Sequence, residues 1–452
     1  SRFGLRPRSS RARNRAFGAM SKSVVEYSRS GSDGESDDDD DGTDASSGSG
    51  GAPVRILLLA FMFMFQGYGC MVGNPQHALK MKLDPDGTWG EQESKNFQDA
   101  TASFQLAKLF MRIGQIAFLV FLRPNGIVFL SYIVMFVALL TPLIGVWGMG
   151  IDSLWIVYVQ YSLGGAAVGM FEGTFLTAIS SLGKDTKTFT IMGAPLGFAV
   201  NNVILGLLSQ CGMPAQLYYV YNAACVPIAA AIFYHFAPRE DGKSDGKGCQ
   251  VFANSMRHAR AWLPMMIPWL VAKFIGNFVL EDGFPLLFNT FNTSQVPMWG
   301  GPDSTRTISF ALYASLYWFP MMALGDTISR RVPNWISIDS GSQIFLCLAS
   351  SVVMCVGGEA LDFLLIPIVT GIAAFISNFG NGFIYGLSAK FIDLYVSEEH
   401  RYAAYNLWCF AGDLGGYAGQ SSFSVTLAHE ACEGHHYEYV CHLQKATAPS
   451  SR

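Results

Sequence analysis

The sequence predicts an all-α polytopic membrane protein with about eleven transmembrane helices, arranged as one bundle of six and one of five. Half of the 452 residues are hydrophobic and only 14% are charged, whereas about 25% are charged in soluble domains. Apolar stretches of about 20 residues, long enough to cross a bilayer, recur from Val54 to Leu427. A polar break at residues 237–260 divides these stretches into two groups.

The predicted spans are helices, because backbone polar groups inside a bilayer must hydrogen-bond to one another. They cover residues 54–74, 99–122, 125–147, 153–178, 187–209 and 214–236 before the break, and 261–288, 305–324, 334–356, 361–389 and 402–428 after it. The domains are therefore a six-helix bundle at 53–236 and a five-helix bundle at 261–428. Residues 1–52, rich in Ser, Gly and Asp from residue 20 onwards, predict a disordered tail, and residues 429–452 a polar tail.

The positive charges predict the orientation of the spans, because Lys and Arg are retained on the cytoplasmic side. The break at 237–260 is assigned as a cytoplasmic loop on its basic residues, which are Arg239, Lys243, Lys247, Arg257 and Arg260. The N-terminus then lies inside as well, and the tail after the last span lies outside. The first outside loop, residues 75–98, has mixed charge and fits this pattern least well.

The second span carries a polar face in an otherwise apolar helix. Gln105, Lys108, Arg112 and Gln115 follow at steps of three and four residues, so they share one side. Two cations one turn apart repel each other and need an anion nearby, either an acidic side chain or an anionic substrate. The fourth span offers Glu172, in its cytoplasmic half. It pairs with these cations or lines a polar pathway.

The second bundle carries a matching set of polar residues. Lys273, Asn277 and Glu281 are spaced four residues apart in the seventh span, and Asp413 lies near the middle of the last span. Glu281, Asp413 and His77, at the end of the first span, are candidates for a proton relay. The predicted transport pathway comprises Gln105, Lys108, Arg112, Glu172, Lys273, Asn277, Glu281, Asp413 and His77. The alternative is a set of buried ion pairs that fix helix register.

Two short segments suggest gating residues at the cytoplasmic side. Asp326 precedes Arg330 and Arg331 between the eighth and ninth spans, which resembles the cytoplasmic loop signature of major-facilitator carriers. In that signature the arginines contact acids and helix C-termini. Glu399 and Arg401 begin the last span, where an acid also favours a plain helix start.

Several longer segments resemble the battenin family of lysosomal membrane proteins, which belongs to the major facilitator superfamily. They are Gly169–Leu176 (GMFEGTFL), Lys273–Ser294 and Tyr385–Arg401, and His77 also falls where that family has a His. The resemblance implies a lysosomal or vacuolar transporter linked to organelle pH. The solute it implies is small and polar, a glycerophosphodiester or a basic amino acid, with the proton as candidate coupling ion.

Two alternatives stay open at this stage. Ser377–Gly386 (SNFGNGFIYG) is similar to the tenth helix of equilibrative nucleoside transporters. The other alternative is a non-transporting membrane scaffold or trafficking regulator. No span carries a catalytic Ser/His constellation or a His-rich metal cluster, so no enzyme activity, cofactor or metal is predicted. No basic, aromatic-rich run indicates nucleic acid.

One sequon lies in a loop assigned to the outside. Asn292, Thr293 and Ser294 form an N-glycosylation acceptor sequence after the seventh span. Because acceptor sites are modified only on the lumenal side, glycosylation of Asn292 is expected if the predicted orientation is right.

Overall fold

The computed structural model describes residues 55–422 apart from 86–88, 90, 119–120, 183, 239–246, 291–294, 298–306, 337–340, 363 and 365. In this part the chain is almost wholly helical, with a single short β-hairpin. Both predicted tails, at 1–52 and 429–452, and the Asn292 sequon lie outside the described residues.

The described residues of the first half, up to residue 236, form nine α-helices. They are α1 Leu57–Gly69, α2 Asn74–Leu83, α3 Glu91–Phe118, α4 Pro124–Pro142, α5 Trp155–Ala178, α6 Lys184–Thr190, α7 Gly193–Ala199, α8 Gly206–Gln210 and α9 Gln216–Phe236. Two π-helical segments, Leu143–Gly148 and Val200–Leu205, extend α4 and join α7 to α8. The predicted fifth span is therefore a broken helix made of α6, α7 and α8.

The second half follows a helix in the predicted loop, α10 Lys247–Arg257. Its helices are α11 Ala259–Thr290, α12 Phe310–Tyr313, α13 Phe319–Ser329, α14 Val332–Trp335, α15 Gly341–Asp362, α16 Pro367–Tyr395 and α17 Glu398–Ser422. The antiparallel strands β1 Gln295–Pro297 and β2 Thr307–Ser309 lie between α11 and α12, and a π-helical segment, Ala314–Trp318, joins α12 to α13.

The helical, polytopic fold class is confirmed, because each predicted span coincides with one helix or with a succession of short ones. By length and composition, eight helical segments in the described ranges are long and apolar enough to cross a membrane. The predicted outside loop at 75–98 is wrong in part, since α2 and the start of α3 occupy much of it. Gly73, with φ of 72°, separates α1 from α2, and Pro75 favours a helix start there.

The two halves repeat one packing plan. In the first half α1 packs on α7, α3 on α5 and α4 on α5; in the second, α11 packs on α17, α13 on α16 and α15 on α16. In the first half, the first span therefore packs on the fifth, and the second and third spans pack on the fourth. In the second half, the seventh span packs on the eleventh, and the eighth and ninth pack on the tenth. This repeat is the arrangement of carriers built from parallel repeats.

Glycines let the paired helices approach closely, as the repeated Gly165 and Gly169 of the fourth span indicate. A Cβ built on Gly169 would lie 2.5 Å from the backbone oxygen of Lys108, so α3 and α5 are in backbone contact there. Gly415 of α17 lies against the backbone of Phe274 in α11 in the same way. This close packing brings the charged residues of neighbouring helices within bonding distance.

Candidate functional site

The polar face of α3 points into the protein and meets three other helices. Gln105, Lys108, Arg112 and Gln115 are all buried. Gln115 donates a hydrogen bond to Asn406 Oδ1 in α17 and accepts one from Thr174 in α5 at 2.8 Å. The predicted polar stripe of this helix is therefore directed at α5, α11 and α17.

An ion-pair network lies at the centre of the protein. Lys108 Nζ lies 2.8 Å from Asp413 Oδ1, and Arg112 Nε lies 2.7 Å from Asp413 Oδ2. Arg112 Nη2 lies 2.9 Å from Glu172 Oε2. Because two cations face two carboxylates, the network is electrically balanced, and the anion that α3 requires is supplied by the chain itself.

Tyr385 of α16 links this network to further cations. Its hydroxyl donates a hydrogen bond to Glu172 Oε1 at 2.8 Å. Its ring lies 4.2 Å from the guanidinium carbon of Arg330 and 5.0 Å from Lys273 Nζ, distances at which a cation is attracted to an aromatic face. Trp408 adds a second ring, 5.3 Å from Lys273 Nζ. Apart from the battenin-like segment that begins at Tyr385, no sequence pattern indicates these two aromatic residues.

Lys273 and Glu281 join the site without forming ion pairs. Lys273 Nζ donates to Asn277 Oδ1 at 2.9 Å, and Asn277 Nδ2 donates to the Gly412 backbone oxygen at 2.9 Å. Glu281 Oε1 accepts a hydrogen bond from Gln105 Nε2 at 2.9 Å. Among the described residues neither Lys273 nor Glu281 has an opposite charge within salt-bridge distance.

At the end predicted to be cytoplasmic, a second ion pair joins the two halves. Lys187 Nζ in α6 lies 2.7 Å from Asp393 Oδ1 in α16 and 4.7 Å from the ring centroid of Tyr405 in α17. Nothing in the sequence spacing of Lys187 indicates Asp393 as its partner. Arg330 adds a further link, because its Nη1 donates to the Ile191 backbone oxygen at 2.9 Å.

At the opposite end the halves are joined by neutral groups. Asn74 Nδ2 at the start of α2 donates to Ser315 Oγ in the second half at 2.9 Å. Asn74 is held in place within the first half, because its backbone N–H donates to Asn202 Oδ1 at 3.1 Å. The central network therefore lies between two sets of contacts that connect the bundles.

The predicted gating loop has the contacts expected of an acid and an arginine at a helix end. Arg330 Nε and Nη2 donate to the two carboxylate oxygens of Asp326, each at 2.8 Å. Arg331 lies with its guanidinium carbon 5.6 Å from the Phe189 ring. This loop therefore contacts the first half at both Ile191 and Phe189.

The other two predicted gating residues differ from each other. Arg401 donates to the backbone oxygens of Val396 at 3.1 Å and Asp393 at 3.0 Å, so it holds the end of α16 against the start of α17. The Glu399 side chain is 74% exposed, and its Oε1 lies 3.5 Å from His400 Nε2. This position favours the helix-start interpretation of Glu399.

His77 is the predicted pathway residue that the structure does not bring to the network. It lies in α2, beyond the break at Gly73, and its side chain is exposed. No hydrogen bond or ion pair between His77 and the central residues occurs in the described part of the chain. In the same part, no group of three or more His, Cys, Asp or Glu side chains could hold a metal ion.

Comparison with solved structures identifies the architecture. The structure is similar to the fucose:proton symporter FucP of E. coli, with 12% identity over 83% of this chain and 92% of that chain and a TM-score of 0.53. The proton:xylose symporter XylE is 10% identical over 87% of this chain and 94% of that chain, with a TM-score of 0.58. The human organic anion transporter MFSD10 is 12% identical over the same shares, with a TM-score of 0.54.

These similarities, at such low identity, establish the fold. The chain is a multi-pass membrane protein with the major facilitator fold, and the predicted fold class is correct. No protein-family profile and no curated protein sequence matches the chain.

Proposed function

We propose that this protein is a battenin-like carrier that moves a small polar solute across a lysosomal or vacuolar membrane by alternating access. The observation that carries the proposal is the buried network in which Asp413 of the second half binds Lys108 and Arg112 of the first. A charge at the centre of a bilayer costs about 2.5–3.5 kcal/mol on insertion scales, so its default interpretation is functional.

The contacts between the halves suit a protein that opens and closes. Asp413 with Arg112, Glu172 with Tyr385, and Gln105 with Glu281 all cross from one bundle to the other through side chains alone. Each of these contacts can separate without unfolding a helix. When the halves separate, polar groups of a solute can take the place of the lost partners, which couples binding to the conformational change.

The chemistry of the site favours a solute with charged groups. Lys273 remains without a carboxylate in the described part of the chain, and a phosphodiester anion is a suitable partner for it. The choice of a glycerophosphodiester or a basic amino acid, and of an organelle membrane with a role in pH homeostasis, rests on the resemblance to the battenin family. A proton is the candidate coupling ion, since Glu281 and Asp413 lie in the site and two of the similar structures are proton symporters.

Transport by the purified protein tests the proposal. The purified protein is reconstituted into proteoliposomes. Uptake of labelled glycerophosphocholine and of labelled arginine is then measured with and without an inward proton gradient. Arg112→Gln removes a charge of the network, whereas Lys390→Ala removes a cation whose hydrogen bonds, among the described residues, go to the backbone oxygens of Pro333 and Ile336 in its own half. We expect uptake by the native protein and the Lys390 variant, and its loss in the Arg112 variant.

The same experiment separates the alternative. If the folded native protein moves neither solute under any gradient, the carrier proposal fails and a membrane scaffold or trafficking regulator becomes the better interpretation. Metabolite profiles of isolated lysosomes or vacuoles, with and without the protein, test the location and the solute together. Accumulation of one solute class in organelles that lack the protein is the expected result.

A further inference from the structure

The charges of the central site do not all cancel in pairs. Lys108 and Arg112 face Asp413 and Glu172, so these four side chains sum to zero. Among the described residues, two charges of the site are left without an ion pair, those of Lys273 and Glu281, and they have opposite signs. Both belong to α11.

A neutral amide holds each of the two remaining charges. The ammonium of Lys273 donates to Asn277 Oδ1, and the carboxylate of Glu281 accepts from Gln105 Nε2. An amide satisfies one hydrogen bond but does not neutralise a charge, and an uncompensated charge away from water is costly. Lys273 is only 6% exposed. The two amides therefore occupy positions where an oppositely charged group would be bound more strongly.

The two charges lie at opposite ends of one polar face. They are eight residues apart on α11, which corresponds to about 12 Å of rise along the helix. Lys273 points towards Tyr385 and Trp408, and Glu281 points towards α3, where it meets Gln105. A solute that pairs with both charges must therefore span up to about 12 Å, less the reach of the two side chains towards it.

We propose that the transported solute is zwitterionic, with its anionic group paired to Lys273 and its cationic group paired to Glu281. This inference rests on the carrier function proposed above and specifies the solute class of the same site. A solute with only a negative charge leaves Glu281 unpaired, and one with only a positive charge leaves Lys273 unpaired. A solute with both charges displaces Asn277 and Gln105 and completes the pairing of the site.

Pairs of probes that differ in one charge test the assignment. Glycerophosphocholine and glycerophosphoglycerol carry the same phosphodiester, but only the first has a cation; arginine and agmatine share a guanidinium, but only the first has a carboxylate. Uptake of each is measured in proteoliposomes, and binding to the detergent-solubilised protein is measured by thermal stabilisation. We expect the native protein to prefer glycerophosphocholine, or arginine, over its partner by about tenfold.

The variants assign each end of the solute to one residue. Glu281→Gln keeps the size of the side chain and should lower the ratio of glycerophosphocholine to glycerophosphoglycerol uptake about tenfold, which removes the native preference. Lys273→Met should lower the uptake of both phosphodiesters, and it should remove the preference for arginine over agmatine. Asp99→Asn, which changes an exposed carboxylate in α3, is the matched control and should leave every ratio unchanged. Size-exclusion profiles establish that each variant is folded.

Two results would overturn the inference while leaving the carrier function intact. One is equal uptake of both members of each pair by the native protein. The other is a Glu281→Gln variant that loses its response to the proton gradient but keeps the native preference, because Glu281 would then bind a proton and not the solute. Absence of uptake and of stabilisation for all four probes would instead contradict the proposed function itself, and the inference with it.

Discussion

Asp413 binds two cations of α3 at once, with one carboxylate oxygen 2.8 Å from Lys108 Nζ and the other 2.7 Å from Arg112 Nε. Because α3 belongs to the first bundle and α17 to the second, this carboxylate joins the two halves at the centre of the protein. Its side chain is 2% exposed, so solvent does not weaken the contacts as it does for ion pairs at a surface.

Replacement of Asp413 by Asn should destabilise the protein strongly. The substitution leaves Lys108 and Arg112 with Glu172 as their remaining acid, and breaking a buried ion pair on one side costs about 3–5 kcal/mol. Thermal unfolding in detergent should show a clear fall in Tm, and adding Lys108→Met should recover part of it, since the charges balance again. An Asp413→Asn protein as stable as the native protein would mean that the network is not a source of stability.

Close packing of α3 and α5 predicts a second effect on stability. A Cβ at Gly169 would lie 2.5 Å from the Lys108 backbone oxygen, so Gly169→Ala must push the helices apart. We expect a loss of about 1–3 kcal/mol in the free energy of unfolding. Gly357 in α15 has no atom within 4 Å of the same position, so Gly357→Ala should be neutral or gain up to about 1 kcal/mol from helix propensity. Equal Tm values for the two variants would contradict this packing.

The orientation of the protein gives a third prediction, made from sequence alone. If the loop after α11 faces the lumen, the native protein expressed in cells should shift in gel mobility after glycosidase treatment, and Asn292→Gln should abolish that shift. A native protein that does not respond to glycosidase gives no support to the assignment. Access of a protease to the same loop only from the cytoplasmic side would reverse the predicted orientation.

The fold was predictable because hydropathy alone determines most spans. An apolar stretch of about 20 residues in a bilayer must satisfy its own backbone hydrogen bonds, and an α-helix does so. The positions of these stretches therefore predict the positions of the helices. Hydropathy does not predict α2, because Lys80 and Lys82 make its sequence polar, and a polar segment after an apolar span indicates a loop. Its helical start depends on Gly73 and Pro75, which are local signals that hydropathy does not include.

The site was predictable within each helix but not between helices. Spacing of three and four residues predicted the shared face of Lys108 and Arg112, because helix geometry fixes it. Their partner Asp413 lies about 300 residues away in sequence, and only the packing of α17 on α3 identifies it. For the same reason the pairing of Lys187 with Asp393 was missed, while His77, included through a resemblance and its position near a helix end, proved to be exposed.

The Lys187–Asp393 ion pair should hold the two halves together at the end predicted to be cytoplasmic. It joins α6 of the first half to α16 of the second at 2.7 Å, and the Tyr405 hydroxyl donates to the same Asp393 oxygen at 3.1 Å. Lys187→Ala removes the cation and leaves Asp393 with the hydrogen bond from Tyr405, which stays within the second half. The halves should then separate more often at this end, with about a tenfold change in the open population for every 1.4 kcal/mol lost.

Cys409 provides a reporter of that opening, since it is 2% exposed and lies one turn before Asp413 in α17. In protein that keeps Cys409 as its only cysteine, an impermeant maleimide is applied to the cytoplasmic face of inverted vesicles. Lys187→Ala should increase the labelling rate, whereas Lys390→Ala should not, because the hydrogen bonds of Lys390 in the described ranges stay within its own half. Unchanged labelling in the Lys187 variant would show that the ion pair does not hold this end closed, and the closure would then depend on Arg330 and its bond to the Ile191 backbone oxygen.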